Sequence, residues 1–288
     1  MPKNVFLRKG SYLHHKTKRL QPGLSTYSFP WAVGVTGFLP PVLMRPLDLL
    51  QYAQQKGIRQ VQFGDNLPLH KLSEEEKENI KRFATTSGIN IEVGTRRLTN
   101  EQVFCYLPIT QQFGSPFLRM VIDDSDYHPA EEEVIKIIRT LLPYLRDANV
   151  VLAIENHDRF PAKNLERIIQ STDEDLVGIC LDTANSLGAG EGFTEVLQVL
   201  APYTINLHIK DILIKRLSHK MGFLVEGCAA GQGILDIPEI LSALQKYNRC
   251  KTATLEVWSQ PEKTIEETVK KEKEWVEQSL AYLKTIVP

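Results

Sequence analysis

The sequence predicts an α/β protein built as a single-domain (β/α)8 TIM barrel. Eight short apolar segments recur at intervals of about 25 to 35 residues, and a longer amphipathic stretch follows each of them. The apolar segments are rich in β-branched residues, as parallel strands buried on both faces usually are. A chain of 288 residues, 42% of them apolar, is also long enough for one such barrel.

The predicted strands lie at residues 23–28, 58–63, 89–93, 117–122, 150–154, 177–181, 204–209 and 252–257. Helix patterns fill the intervals between them. Gly57 ends the first pattern, and Ser73 followed by Glu76 forms a capping box at the start of the next. A doubly wound open sheet is the alternative, but no glycine-rich phosphate-binding fingerprint follows the first strand.

The composition limits the classes of partner that the protein can bind and indicates its cellular compartment. Residues 1–21 are predicted to form a basic extension and residues 22–288 the barrel; the extension lacks the apolar core of a secretory signal. A net charge of −1 argues against a nucleic-acid partner, and no apolar run reaches the roughly 20 residues that span a bilayer. The four cysteines form no C-x-x-C pair. We therefore expect a cytoplasmic protein with neither a nucleic-acid nor a membrane partner.

Three acids and one histidine stand at the ends of four consecutive predicted strands. Glu155 follows the fifth strand and Asp182 the sixth, while His208 and Glu256 lie in the seventh and eighth. The carboxyl ends of barrel strands meet at one mouth, where three carboxylates would repel one another unless a cation lay between them. Three carboxylates and an imidazole suit Mn²⁺ best, with Mg²⁺, Co²⁺ or Zn²⁺ as alternatives. We expect one divalent cation.

These residues resemble the metal-binding quartet of the xylose isomerase-like TIM-barrel superfamily, in its sugar phosphate isomerase/epimerase branch. The motifs that carry the resemblance are AIENHD (153–158), CLDTANSLG (180–188), LHIKD (207–211), GQGILDIPEI (231–240) and TLEVW (254–258). The resemblance implies that Glu155, Asp182, His208 and Glu256 bind the metal, and that Glu155 and Glu256 also act as catalytic acid and base. The implied function is a metal-dependent sugar isomerase or epimerase, which converts a small keto-sugar or sugar derivative through a metal-stabilised enediolate.

One position departs from this family. The epimerases usually have a histidine three residues after the aspartate of the sixth strand, where this chain has Asn185. An amide is a poor ligand for a transition metal, but it hydrogen-bonds a sugar hydroxyl well. The departure therefore predicts a single-metal site in which Asn185 contacts the substrate, and it argues against the DNA-repair chemistry of endonuclease IV.

Six residues at the predicted mouth are expected to bind a carbohydrate substrate. They are Tyr27, Trp31, Arg96, His157, Asn185 and Lys210. Each has a structural alternative: the aromatic residues could pack in the core, His157 could support a metal ligand, and Lys210 could pair with Asp182 or Glu256. Arg119, inside the fourth strand, is expected to pair with Glu155 or another interior acid.

Three other functions stay open. The segment YSFPWAVGV (27–35) resembles barrels of this superfamily that decarboxylate 3-oxo-isoapionate, so a metal-dependent decarboxylase of a 3-oxo sugar acid is the main alternative. Cations near the mouth (Arg96, Arg97, Lys210, Lys215, Arg216) would favour such an acidic substrate. A dehydratase resembling inosose dehydratase is another alternative. A non-catalytic sugar-binding barrel is the least expected, because it would need neither catalytic glutamate.

Two features concern the surroundings of the mouth. The connection from Ile212 to Asp236 is longer than the others and contains glycines, which predicts either a lid or a loop tied down beside the mouth. Barrels of this kind often pair, so a homo-oligomer is also expected.

Overall fold

A computed structural model describes residues 20–287 as a closed barrel of eight parallel strands. The strands are β1 (Gln21–Ser25), β2 (Gln60–Phe63), β3 (Asn90–Arg96), β4 (Phe117–Val121), β5 (Val151–Glu155), β6 (Val177–Asp182), β7 (Thr204–Ile209) and β10 (Thr252–Leu255). They follow the order β1-β10-β7-β6-β5-β4-β3-β2 around the barrel. The predicted fold is confirmed, and the ends of the predicted strands are displaced by at most three residues. The predicted extension lies outside the described residues except for Leu20 and Gln21, and Gln21 already belongs to β1.

A helix follows each barrel strand. The helices are α2 (Pro46–Lys56), α3 (Glu74–Ser87), α4 (Asn100–Phe113), α5 (Glu131–Ala148), α6 (Ala162–Gln170), α7 (Phe193–Leu200), α8 (Ile237–Gln245) and α9 (Ile265–Ile286), and a one-turn helix, α1 (Pro30–Val33), follows β1. The predicted capping box is present, since the Ser73 hydroxyl accepts from the Glu76 N–H and the Glu76 carboxylate from the Ser73 N–H. No helix among residues 20–287 is both long and apolar enough to cross a membrane.

The two faces of the sheet differ in chemistry. Apolar strand residues such as Leu207 and Ile209 belong to the main hydrophobic core with the buried faces of the helices. The residues between them, such as Asn206 and His208, join a network of hydrogen bonds with polar side chains from other strands. The barrel interior is therefore polar below the mouth, and each buried polar group there needs a partner.

The long connection after β7 is an antiparallel hairpin of β8 (Asp211–Arg216) and β9 (Phe223–Cys228), not an irregular loop. The Asp211 carboxylate accepts hydrogen bonds from the N–H groups of Ile212, Gly231 and Gly233, each at 2.9 Å. These bonds fasten the base of the hairpin to the segment that leads into α8. The sequence predicted either a lid or a loop tied down beside the mouth. The base of the hairpin agrees with the second alternative.

Gly227 lies where β9 crosses the chain that follows β10. A Cβ atom at this position would overlap the carbonyl oxygen and the Cβ of Trp258. We expect Gly227→Ala to displace the hairpin and to lower the free energy of unfolding by about 1–3 kcal/mol, the usual cost of overpacking. Denaturant unfolding checks this. Gly192→Ala is the control, because its Cβ would meet only the end of the flexible Glu195 side chain. Equal stability of the two variants would contradict the close packing.

Candidate active site

The four predicted metal ligands converge in the barrel mouth. Glu155 ends β5, Asp182 ends β6, His208 lies in β7 and Glu256 follows β10, and each is at most 2% exposed. The His208 Nδ1 atom lies 3.4 Å from Glu155 Oε2, 3.9 Å from Asp182 Oδ2 and 3.3 Å from Glu256 Oε1. Four neighbouring strands thus bring three carboxylates around one imidazole nitrogen.

This arrangement fits a divalent cation. His208 Nδ1 is buried and makes no hydrogen bond with any residue in the described part of the chain. Ligand atoms about 2.0–2.4 Å from one cation lie roughly 3 Å or slightly more from one another, close to the separations seen here. The oxygen-rich donor set suits a hard ion such as Mn²⁺ or Mg²⁺.

Two buried cations, Arg119 and Lys210, neutralise much of the acidic charge. Arg119, on β4, donates to Glu155 and, at 2.6 Å, to Asp65. Lys210 Nζ lies 2.9 Å from Asp182 Oδ2 and 3.1 Å from Glu256 Oε2. The pairing of Arg119 with an interior acid is therefore as expected. Lys210 pairs with Asp182 and Glu256, which was the structural alternative for this residue, and it also lines the mouth.

The ion pairs keep the two glutamates charged. Burial alone would raise the pKa of Glu155, but Arg119 and Lys210 act to lower it. At Glu256, Lys210 likewise lowers the pKa against the effect of burial. The pKa of Lys210 is raised, because Asp182 and Glu256 outweigh the effect of burial. The site thus carries carboxylates and an ammonium group at neutral pH.

Every carboxylate oxygen of the two glutamates has a partner. Glu155 Oε1 accepts from Asn185 Nδ2 at 2.8 Å, and Oε2 accepts from Arg119 Nε. Glu256 Oε1 accepts from Ser25 Oγ at 3.1 Å, and Oε2 faces Lys210 Nζ. Each of these oxygens keeps a second acceptor site, so both glutamates can still bind a cation.

A cavity of about 390 Å³ opens above the quartet. All six predicted substrate-binding residues line it, together with Glu155 and Glu256: Tyr27, Trp31, Arg96, His157, Asn185 and Lys210. Some of their polar groups are already engaged, since the Tyr27 hydroxyl donates to Asp65 at 2.8 Å and Asn185 Oδ1 accepts from Lys210. Arg96 Nε is held more loosely, because it lies 3.5 Å from Asp65 Oδ2 and forms no hydrogen bond with any residue from 20 to 287.

The expected set of cations at the mouth is partly wrong: Arg96 and Lys210 line the cavity, but the other three do not. Arg97 pairs with Asp126, and Lys215 pairs with Glu226 on the hairpin. Arg216 lies on the exposed end of β8 against Phe223. These three cations therefore lie outside the cavity, and among residues 20–287 the positive charge of its lining comes from Arg96, Arg119 and Lys210.

Trp31 is held in place by Glu272, a buried acid that lies 241 residues further along the chain. The Trp31 and Ala32 N–H groups donate to the Glu272 carboxylate of α9 at 2.8 and 3.1 Å, and Trp31 Nε1 donates to the Ser259 carbonyl. Burial raises the pKa of Glu272 to about 8, although the two N–H groups act against it. The aromatic side of the cavity thus depends on contacts between α1, α9 and the chain after β10.

The sequence reasoning missed several residues of the site. Ser25 binds Glu256, Gln62 binds His208, and Trp258 with Ser259 completes the cavity lining. A polar residue within an otherwise apolar strand, such as Gln62 in β2, is a signal that could have indicated an interior contact. Nothing in the sequence pairs it with a particular partner.

The fold and the cavity at the carboxyl ends of its strands place the protein in the class of (β/α)8 barrels that carry their chemistry at this mouth. It belongs to the xylose isomerase-like TIM barrel family, whose model matches residues 50–286. It is 29% identical over 269 residues to the 3-oxo-isoapionate decarboxylase of Pectobacterium atrosepticum, which covers 92% of this chain and 96% of the relative.

Solved structures share the fold at lower identity. D-psicose 3-epimerase from Clostridium cellulolyticum H10 has a TM-score of 0.68 and 15% identity, over 92% of this chain and 98% of that one. A xylose isomerase-like barrel from Mycobacterium smegmatis, in complex with magnesium, has a TM-score of 0.65 and 14% identity, over 93% and 98%. The named relatives include epimerases and a decarboxylase, which supports an enzymatic function.

Proposed function

We propose that this protein is a divalent-metal-dependent decarboxylase of a 3-oxo sugar acid. The observation that carries the proposal is the cationic lining of the cavity, where Arg96 can hold a substrate carboxylate and Lys210 can supply a proton. Proton abstraction would need one of the glutamates as a base, and Arg119 and Lys210 weaken both as bases by lowering the pKa, whereas a 3-oxo acid loses CO₂ without a base. The similarity to the Pectobacterium decarboxylase over 92% of the chain supports the same reaction type.

Glu155, Asp182, His208 and Glu256 would hold the cation, with Mn²⁺ as our first choice. When bound, the cation would polarise the substrate carbonyl and stabilise negative charge on its oxygen. Arg96 would bind the substrate carboxylate, because its guanidinium lines the cavity, lies 3.5 Å from Asp65 Oδ2 without a hydrogen bond, and matches a carboxylate in shape.

The reaction breaks the bond between the carboxylate carbon and its neighbour, and the electron pair moves toward the adjacent carbonyl. CO₂ leaves, and the carbon that carried it must gain one proton. Lys210 is the proposed donor, because its Nζ lines the cavity and the acids around it keep it charged. Glu256 and Asp182 would orient this ammonium group, which then regains its proton from water.

Isomerisation or epimerisation of a keto-sugar is the second candidate. Glu155 and Glu256 both line the cavity, as an acid and a base acting on one substrate must. In this reaction one glutamate would have to accept a proton although Arg119 and Lys210 lower the pKa of both. A cytoplasmic location and a homo-oligomer stay predictions from the sequence.

NMR in D₂O separates the two candidates. Metal-free and Mn²⁺-loaded protein would be incubated with a panel of 3-oxo sugar acids and a panel of neutral keto-sugars. We expect metal-dependent CO₂ release from a 3-oxo acid, with one deuterium in the product. Deuterium exchange into a keto-sugar without loss of mass would overturn the decarboxylase in favour of the isomerase or epimerase. Turnover that survives exhaustive chelation would contradict both.

A further inference from the structure

His208 makes a second contact, on the side away from the carboxylates. Its Nε2 atom lies 2.8 Å from Oε1 of Gln62, a buried side chain of β2. A neutral imidazole carries one proton, so one ring nitrogen donates a hydrogen bond while the other offers a lone pair. If Gln62 presents an acceptor, Nε2 carries the proton and Nδ1 turns its lone pair toward the acids. If Gln62 presents a donor, Nδ1 carries the proton instead.

The amide of Gln62 is held in one orientation. Its Nε2 group donates to Glu92 Oε2 and to Asn206 Oδ1, both at 3.2 Å. Asn206 is itself oriented, because its Oδ1 also accepts from the Cys180 thiol at 3.1 Å while its Nδ2 donates to Thr252 Oγ1 at 2.7 Å. Turning the Gln62 amide over would place its oxygen 3.2 Å from the acceptor oxygen of Asn206. Gln62 Oε1 is thus the acceptor that faces His208, and His208 Nε2 carries the proton.

We infer that Gln62, held by Glu92 and Asn206, is a positioning residue that fixes His208 in the Nε2–H tautomer. The Nδ1 lone pair then points among the oxygens of Glu155, Asp182 and Glu256, with no donor between them. A lone pair surrounded by carboxylates is unfavourable until a cation lies between them. The inference rests on the proposed metal centre and adds a residue that prepares its nitrogen ligand, as partners behind ligating histidines do elsewhere.

The affinity for Mn²⁺, measured by calorimetry on the full chain, is the first test. Gln62→Met keeps the length of the side chain but removes the acceptor, so the Nδ1–H tautomer becomes available and competes with the metal. We expect the Kd for Mn²⁺ to rise about 10- to 100-fold. Gln170→Met is the matched control, because it makes the same change on α6, where Gln170 Nε2 donates to the Tyr203 hydroxyl, and it should leave the Kd close to that of the wild type. An unchanged Kd in Gln62→Met would overturn the inference.

The tautomer itself can be measured without a metal and without activity. Nitrogen-15 NMR of the metal-free wild type, at a pH where the imidazole is neutral, should show the His208 proton on Nε2. Gln62→Met should shift the population toward Nδ1–H. A proton on Nδ1 in the wild type would overturn the inference even if the variant failed to fold. If the wild type bound no Mn²⁺, the proposed function would fail, whereas the tautomer would still decide the role of Gln62.

Discussion

Replacing Glu256 by glutamine is expected to lower kcat by about 10² to 10⁴, the usual contribution of a positioned proton-transfer group. The substitution removes one negative charge from the proposed ligand set. It also removes the anion that lies 3.1 Å from Lys210 Nζ and orients that proton donor. In the alternative isomerase or epimerase, the same change removes an acid/base group outright. Initial rates with the substrate found in the panel provide the measurement.

Glu277→Gln is the matched control for this loss. Glu277 lies on α9 in a surface ion pair with Lys56, so the same carboxylate-to-amide change there should leave kcat unaltered. Circular dichroism and Mn²⁺ content should be measured in both variants. Near-normal kcat in Glu256→Gln with the metal still bound would refute a catalytic role for Glu256.

Replacing Arg119 by methionine is expected to lower the free energy of unfolding by about 3–5 kcal/mol, the cost of breaking a buried ion pair from one side. Arg119 is 3% exposed and donates to both Glu155 and Asp65. Methionine fills part of the space but leaves both acids without this partner. Denaturant unfolding of the metal-free protein measures the loss. Saturating Mn²⁺ should recover part of it, since a cation that binds only the folded state stabilises it.

Arg167→Met provides the comparison on the surface. Arg167 makes two hydrogen bonds of 2.9 Å to Glu131, but its side chain is 54% exposed. Exposed pairs contribute about 0–1 kcal/mol, so this variant should be nearly as stable as the wild type. Equal losses of unfolding free energy in the two variants would show that burial does not increase the contribution of the Arg119 ion pairs.

The barrel and its acidic mouth could be predicted because both depend on local patterns. Runs of β-branched residues predict buried strands, and acids at the ends of such runs are costly unless they have partners. Four residues on neighbouring strands are recognisable in this way: Glu155, Asp182, His208 and Glu256.

The partners of these residues could not be predicted, because closure of the barrel brings them together. Gln62 and His208 are 146 residues apart in the chain, and Ser25 and Glu256 are 231 apart. The hairpin was missed for another reason: its strands expose apolar residues such as Phe223 and Leu224, so they lack the buried pattern that marks a barrel strand. The cations assigned to the mouth were partly wrong because sequence position does not show which acid neutralises them.

Metal stoichiometry, measured by elemental analysis of protein reconstituted with Mn²⁺, tests the metal centre most directly. We predict one ion per chain in the wild type, none retained in Asp182→Asn, and one in Asn185→Ala. Asp182→Asn keeps an oxygen for the N–H groups of Ala184 and Asn185, so it should remain folded while losing the ligand charge. No ion in the wild type would contradict the account. Two or three ions, falling to one in Asn185→Ala, would contradict the single-metal site.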